Sequence, residues 1–188
     1  MAFARRGNTG GVPLLVVVTG PPASGKSTLA RELASSLDVP FLSKDELKER
    51  LYEVFGDATE AEDDVERAAL AILFSVANSN LDAGVDVLIE SNFDATTDTA
   101  LFDGLDARIV QVHCGGDPDE LAEGFAKRAA SGGRHPGHDD DPEDAVEVRK
   151  KIVDGFWDPL PGVGQVVEVD ARTDARELAR RLRARVAS

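Results

Sequence analysis

Continuous apolar runs alternate along the chain with stretches of helical periodicity. Leu14-Leu15-Val16-Val17-Val18 is unbroken and rich in β-branched residues, which suits a central strand buried on both faces. Helical spacing follows over 26–37, a short strand is expected over Val39–Leu42, and a second helix over Asp45–Phe55. Thr59 and Glu62 form a capping-box pattern, after which Val65, Ala69, Ile72, Val76 and Leu81 recur at helical spacing as far as Gly84. Val85–Ile89, Arg108–His113 and Gln165–Val169 read as further strands. Asp117-Pro118 and Asp141-Pro142 each put an acceptor at a helix cap and proline at the first helical position. Leu178, Leu182 and Val186 form one stripe of a last helix. Strands separated by helices predict an α/β domain with a five-stranded, mainly parallel sheet, its ligand at the carboxyl ends of the strands.

At the first such end stands Gly20-Pro21-Pro22-Ala23-Ser24-Gly25-Lys26-Ser27, a complete G-x-x-x-x-G-K-[ST] loop between a strand and a helix. Glycines let the backbone wrap a polyphosphate, and successive N–H groups with the helix N-terminus favour the anion. Lys26 is expected to reach the β- and γ-phosphates of ATP, Ser27 to ligate Mg²⁺, and Thr28 to contact the α-phosphate. No Asn-Lys-x-Asp base-reading motif marks a switch GTPase, and the length leaves little room for a motor's extra modules. Phosphoryl transfer to a small acceptor is the leading class.

Composition narrows this further. The 188 residues fit one domain, with 1–11 as a loose leader. Lys and Arg number 21 against 35 Asp and Glu, a net charge of −14 that opposes nucleic acid and anionic membranes. A single cysteine, Cys114, excludes an intramolecular disulfide framework. No apolar run reaches a bilayer-spanning length, and Arg5-Arg6 precedes no cleavage-site pattern, so a cytoplasmic protein is expected.

The Gly-Lys-Ser-Thr loop, Phe41-Leu42-Ser43-Lys44-Asp45, Ile89-Glu90-Ser91-Asn92 and an arginine-bearing segment after the fourth strand resemble the compact P-loop kinases. That group includes polynucleotide 5′-kinase, gluconate kinase, chloramphenicol phosphotransferase and the zeta-type toxins. The resemblance covers most of the chain. It implies the sheet order 2-3-1-4-5, a lid over about 128–141, and a kinase using ATP and Mg²⁺. It also implies that Asp45 accepts the proton of the attacking hydroxyl; the competing reading is a plain N-cap. An acid at Glu90 would orient Mg²⁺ or support Lys26 or Ser27, although the group more often has aspartate there.

Around this frame, Arg50 and Asn92 are candidates for holding the acceptor, against readings as an exposed helix charge and a turn residue. Asp94 reads as the cap of a following helix. Arg128 and Arg134 are candidates to close over the transferring group, with glycines 132, 133 and 137 freeing the loop. His135 and His138 are expected to grip substrate or adenine, with a metal site involving Asp139 and Asp140 as the weaker alternative. Cys114 and Trp157 read as packing residues. The acceptor is expected to be a sugar, a nucleoside or an antibiotic-like metabolite. A nucleotide-binding regulator without turnover and a polynucleotide 5′-hydroxyl kinase remain the alternatives.

Overall fold

The computed structural model describes residues 11–56, 62–132, 135, 138 and 140–186. Its sheet contains β1 (Leu14–Thr19), β2 (Phe41–Ser43), β3 (Val87–Glu90), β4 (Arg108–Cys114) and β5 (Gln165–Val169), in the order β2-β3-β1-β4-β5. Every pairing is parallel. Helices α1 (Lys26–Leu37), α2 (Lys44–Phe55), α3 (Glu62–Asp82), α4 (Pro118–Ala130), α5 (Ala145–Val153) and α6 (Ala175–Val186) supply the crossovers and the two outer layers.

The twofold alternation of a strand divides the core. Leu14, Val16 and Val18 pack with Leu29, Leu33, Leu178 and Leu182 under α1 and α6. Leu15 and Val17 face the other way, onto Leu73, Phe93, Phe102 and Leu160 under α3 and the connections. Phe74, Phe93 and Phe102 meet edge to face at centroid distances of 5.2–6.2 Å. A third cluster joins Phe125 of α4, Val148 of α5 and Trp157.

Several boundaries differ from the sequence expectation. The second strand starts at Phe41, because the Val39 N–H closes the end of α1 on the Ala34 carbonyl and Pro40 has no N–H. The third starts at Val87: the Val85 N–H is taken by the Asn80 carbonyl, and Asp86 Oδ1 accepts the Leu14 N–H at 2.8 Å. Ser43, not Asp45, occupies the N-cap of α2, so Asp45 is the second helical residue. Asp94 caps no α-helix; its carboxylate accepts the Thr96 N–H in a tight turn, and only a 3₁₀ turn (Asp98–Phe102) follows. The Asp117 cap is present, its carboxylate accepting from the N–H groups of Asp119 and Glu120. The cap at Asp141 starts a 3₁₀ turn (Pro142–Asp144) that leads into α5. Thr59, Gly133, Arg134, Pro136, Gly137, Asp139 and most of the expected leader lie outside the described residues. No described helix is long and apolar enough to cross a membrane.

Candidate active site

The loop between β1 and α1 adopts conformations that side chains resist. Gly20, Ala23 and Gly25 all have positive φ, at 137°, 63° and 79°. A Cβ on Gly20 would run into the carbonyl oxygen of Cys114, so glycine is required there by space as well as by torsion. Gly25 serves as the cap residue of α1 and offers no side-chain acceptor to its first amides.

Charge inside the loop is arranged for an anion. Lys26 is 5% exposed and sends Nζ to the Pro21 carbonyl at 3.3 Å. Burial pulls its ammonium below the usual lysine range; Glu90 and Asp45 counter this, and Arg128 adds to it. A polyphosphate would supply the missing counter-charge. The Ser24 hydroxyl is buried with no hydrogen-bond partner among the described residues. These features fit a nucleotide phosphate chain.

Behind Lys26 sits Glu90, 1% exposed at the end of β3. It accepts the Ser27 hydroxyl at 3.0 Å and the Ser43 hydroxyl at 2.7 Å. One carboxylate thereby ties the phosphate loop to the cap of α2. A hydroxyl backed by an anionic oxygen suits a Mg²⁺ site, with Ser27 as ligand and Glu90 behind it. Among the described residues there is no group of three or more His, Cys, Asp or Glu that would hold a metal by itself. Sequence reasoning missed Ser43; its place two residues before Asp45 at a strand end was the available signal.

These groups open onto a cavity of about 860 Å³ at the carboxyl ends of the strands. Lys26, Ser27, Asp45, Asn92 and Arg128 all line it, although they come from separate loops and helices. Arg128 lies over the Phe125 ring, with Nη2 3.7 Å from Asp140. Arg50 also borders the cavity, but its side chain is 76% exposed and its guanidinium is held by Glu53 at 2.7 Å. His138 reaches the wall and meets Glu49 at 3.0 Å. His135 is not brought to the cavity; its ring stacks on Tyr52 at 6.3 Å. Thr28 faces an adjoining recess with Asp174 and Arg176.

Two lysines on this wall were not legible beforehand. Lys44 and Lys48, both buried, converge on the carboxylate of Glu66 from α3. Burial alone would raise the Glu66 carboxyl, but the two ammonium groups outweigh it and hold it below the usual range. Cys114 is 1% exposed, and burial pushes its thiol up to about 12 against the pull of Lys26, so it stays an inert thiol.

A family profile described as an AAA domain matches residues 15–151. The chain is 34% identical to a candidate kinase of Chloroflexus aurantiacus J-10-fl, with a TM-score of 0.81 over 93% of this chain and 98% of that one. A sugar kinase from Janibacter sp. HTCC2649 superposes with a TM-score of 0.63 at 18% identity, covering 93% and 95% of the two chains. A chain of an RNA repair complex gives 0.56 at 22% identity over 82% of this chain and 50% of that one. No curated protein sequence matches. The chain belongs to this AAA-domain family and to the small P-loop kinases.

Proposed function

We propose that the chain is an ATP- and Mg²⁺-dependent kinase that phosphorylates a hydroxyl of a small molecule: a sugar, a nucleoside or an antibiotic-like metabolite. The observation that carries this reading is the single cavity in which Lys26 and Ser27 of the phosphate loop share walls with Asp45 and Arg128. The acceptor oxygen would attack the γ-phosphorus, the bond to the β–γ bridging oxygen would break, and ADP would leave. Asp45 takes the hydroxyl proton. Mg²⁺, held at Ser27 with Glu90 behind it, would neutralise charge on the β- and γ-phosphates. Arg128 stabilises charge on the transferring group, and the sequence alone gives Arg134 the same task. Asn92 and His138 border the space where the acceptor would lie. A net charge of −14 disfavours a polynucleotide acceptor.

The test is a panel of neutral and acidic hydroxyl compounds assayed for ADP release, with phosphorus NMR of the products. Acceptor-dependent ADP release with a new phosphomonoester supports the reading. ATP binding without stimulation by any acceptor supports a nucleotide-binding regulator instead.

A further inference from the structure

Polar residues occupy two successive positions on one face of β4, and both hold the segment that follows α5. Gln111 is fully buried on the face packed by α3. Its amide donates to the Leu160 carbonyl at 2.9 Å and to the Val163 carbonyl, and its oxygen accepts the Leu160 N–H at 2.8 Å. Two residues along, His113 places Nε2 2.9 Å from the Trp157 carbonyl oxygen and Nδ1 2.6 Å from Glu168 Oε2 on β5. A carbonyl accepts only, and so does an ionised carboxylate. Both contacts are hydrogen bonds only if both ring nitrogens carry protons, or if the shared proton sits on Glu168.

The burial of the partners is unequal. The Glu168 side chain is 64% exposed, whereas the His113 side chain is only 10% exposed. The carbonyl it holds belongs to Trp157, which with Phe156 borders the cavity. Trp157 packs in turn on Phe125 and Val148. A hydrogen bond at this point ties the Trp157 main chain to the strand next to the phosphate loop strand.

We propose that His113 is a positioning residue for the site: its ring, held between Glu168 and the Trp157 carbonyl, fixes that carbonyl and with it the aromatic wall against which the ligand packs. The identity of that ligand as MgATP with its acceptor rests on the kinase reading; the positioning itself does not.

Trp157 is the chain's one tryptophan, so its fluorescence reports this wall alone. His113→Phe keeps a ring of similar size and removes both donors. Glu168→Gln keeps both contacts with a neutral ring, because its amide donates to Nδ1 while Nε2–H stays on the carbonyl. The unmodified chain and both variants are compared by Trp157 emission, by affinity for a non-hydrolysable MgATP analogue, and by nitrogen NMR of the His113 ring. Expected is a proton on His113 Nε2, donated to the Trp157 carbonyl, in both the unmodified chain and Glu168→Gln. His113→Phe should shift the emission and weaken the analogue about tenfold, as an orphaned buried carbonyl implies. Turnover, where an acceptor is known, should show a raised KM at an unchanged kcat. Glu168→Gln should stay within about twofold in affinity, since both contacts persist. His113→Gln, which retains one donor, replaces His113→Phe if that variant does not fold, with a smaller shift of the same sign. Unchanged emission and affinity in a less stable His113 variant, or a His113 Nε2 without its proton in the unmodified chain, overturns the proposal. Failure of the unmodified chain to bind the analogue refutes the kinase reading, while the ligand-free emission and the ring NMR still decide the role of His113.

Discussion

Replacing Glu90 tests whether one carboxylate holds the phosphate loop to the α2 cap. It is 1% exposed and accepts hydroxyls of Ser27 and Ser43 at 3.0 and 2.7 Å. It is also the largest charge offsetting the burial of Lys26. Glu90→Ala orphans both hydroxyls and leaves the lysine short of its counter-charge. Breaking a buried charged contact costs about 3–5 kcal/mol. At about 2–4 °C per kcal/mol for a chain of this size, Tm should fall by about 6–20 °C. Glu90→Gln keeps the volume and one acceptor oxygen, so the loss should be about 1–3 kcal/mol. In both variants the Lys26 ammonium is pushed further below the lysine range, and bound polyphosphate restores the missing negative charge. The stabilisation by MgATP should therefore be retained in Glu90→Gln once magnesium is saturating. The assay is thermal unfolding followed by circular dichroism, with and without MgATP. A Glu90→Ala chain melting within about 2 °C of the unmodified one would refute the reasoning, because about 3 kcal/mol cannot be hidden in so small a shift.

Further outcomes follow from the same geometry. Lys26→Ala should abolish phosphoryl transfer measured with labelled ATP, since no other loop residue carries a positive charge. Gly20→Ala should lose nucleotide binding in a calorimetric titration, because the new Cβ meets the Cys114 carbonyl oxygen at a φ of 137°. The stability from Glu66 with Lys44 and Lys48 should be fully present above the ordinary glutamate range. It should be lost as pH falls through the depressed Glu66 value, so that denaturant titrations of Glu66→Gln show a weaker dependence across that acid window.

Local signals that also dictate the fold were legible in the sequence. The β-branched run at 14–18 specified a strand buried on both faces, and the G-x-x-x-x-G-K-[ST] spacing specified the loop and the start of α1. Boundaries failed where a turn competed for a backbone group, as when Val39 and Val85 closed helix ends instead of extending strands. The site's long-range ties were harder to read. Ser43 and Glu90 are 47 residues apart and His113 and Glu168 are 55 apart, so only sheet order and register bring them together. Lys44 and Lys48 looked like ordinary helix charges, because nothing local shows that α3 supplies Glu66 across from them. Trp157 was expected to pack and does so, yet it also bounds the cavity.

The central claim is that Asp45, lining the same cavity as Lys26, takes the proton of an attacking hydroxyl. The most direct measurement compares Asp45→Asn with the unmodified chain for two quantities: affinity for MgATP by calorimetry, and single-turnover transfer of the γ-phosphoryl to an acceptor found in the hydroxyl panel. The account predicts ATP affinity within a few-fold and transfer slower by about 10²–10⁴-fold, the scale of a lost general base. Transfer at the unmodified rate in a folded Asp45→Asn chain would contradict it.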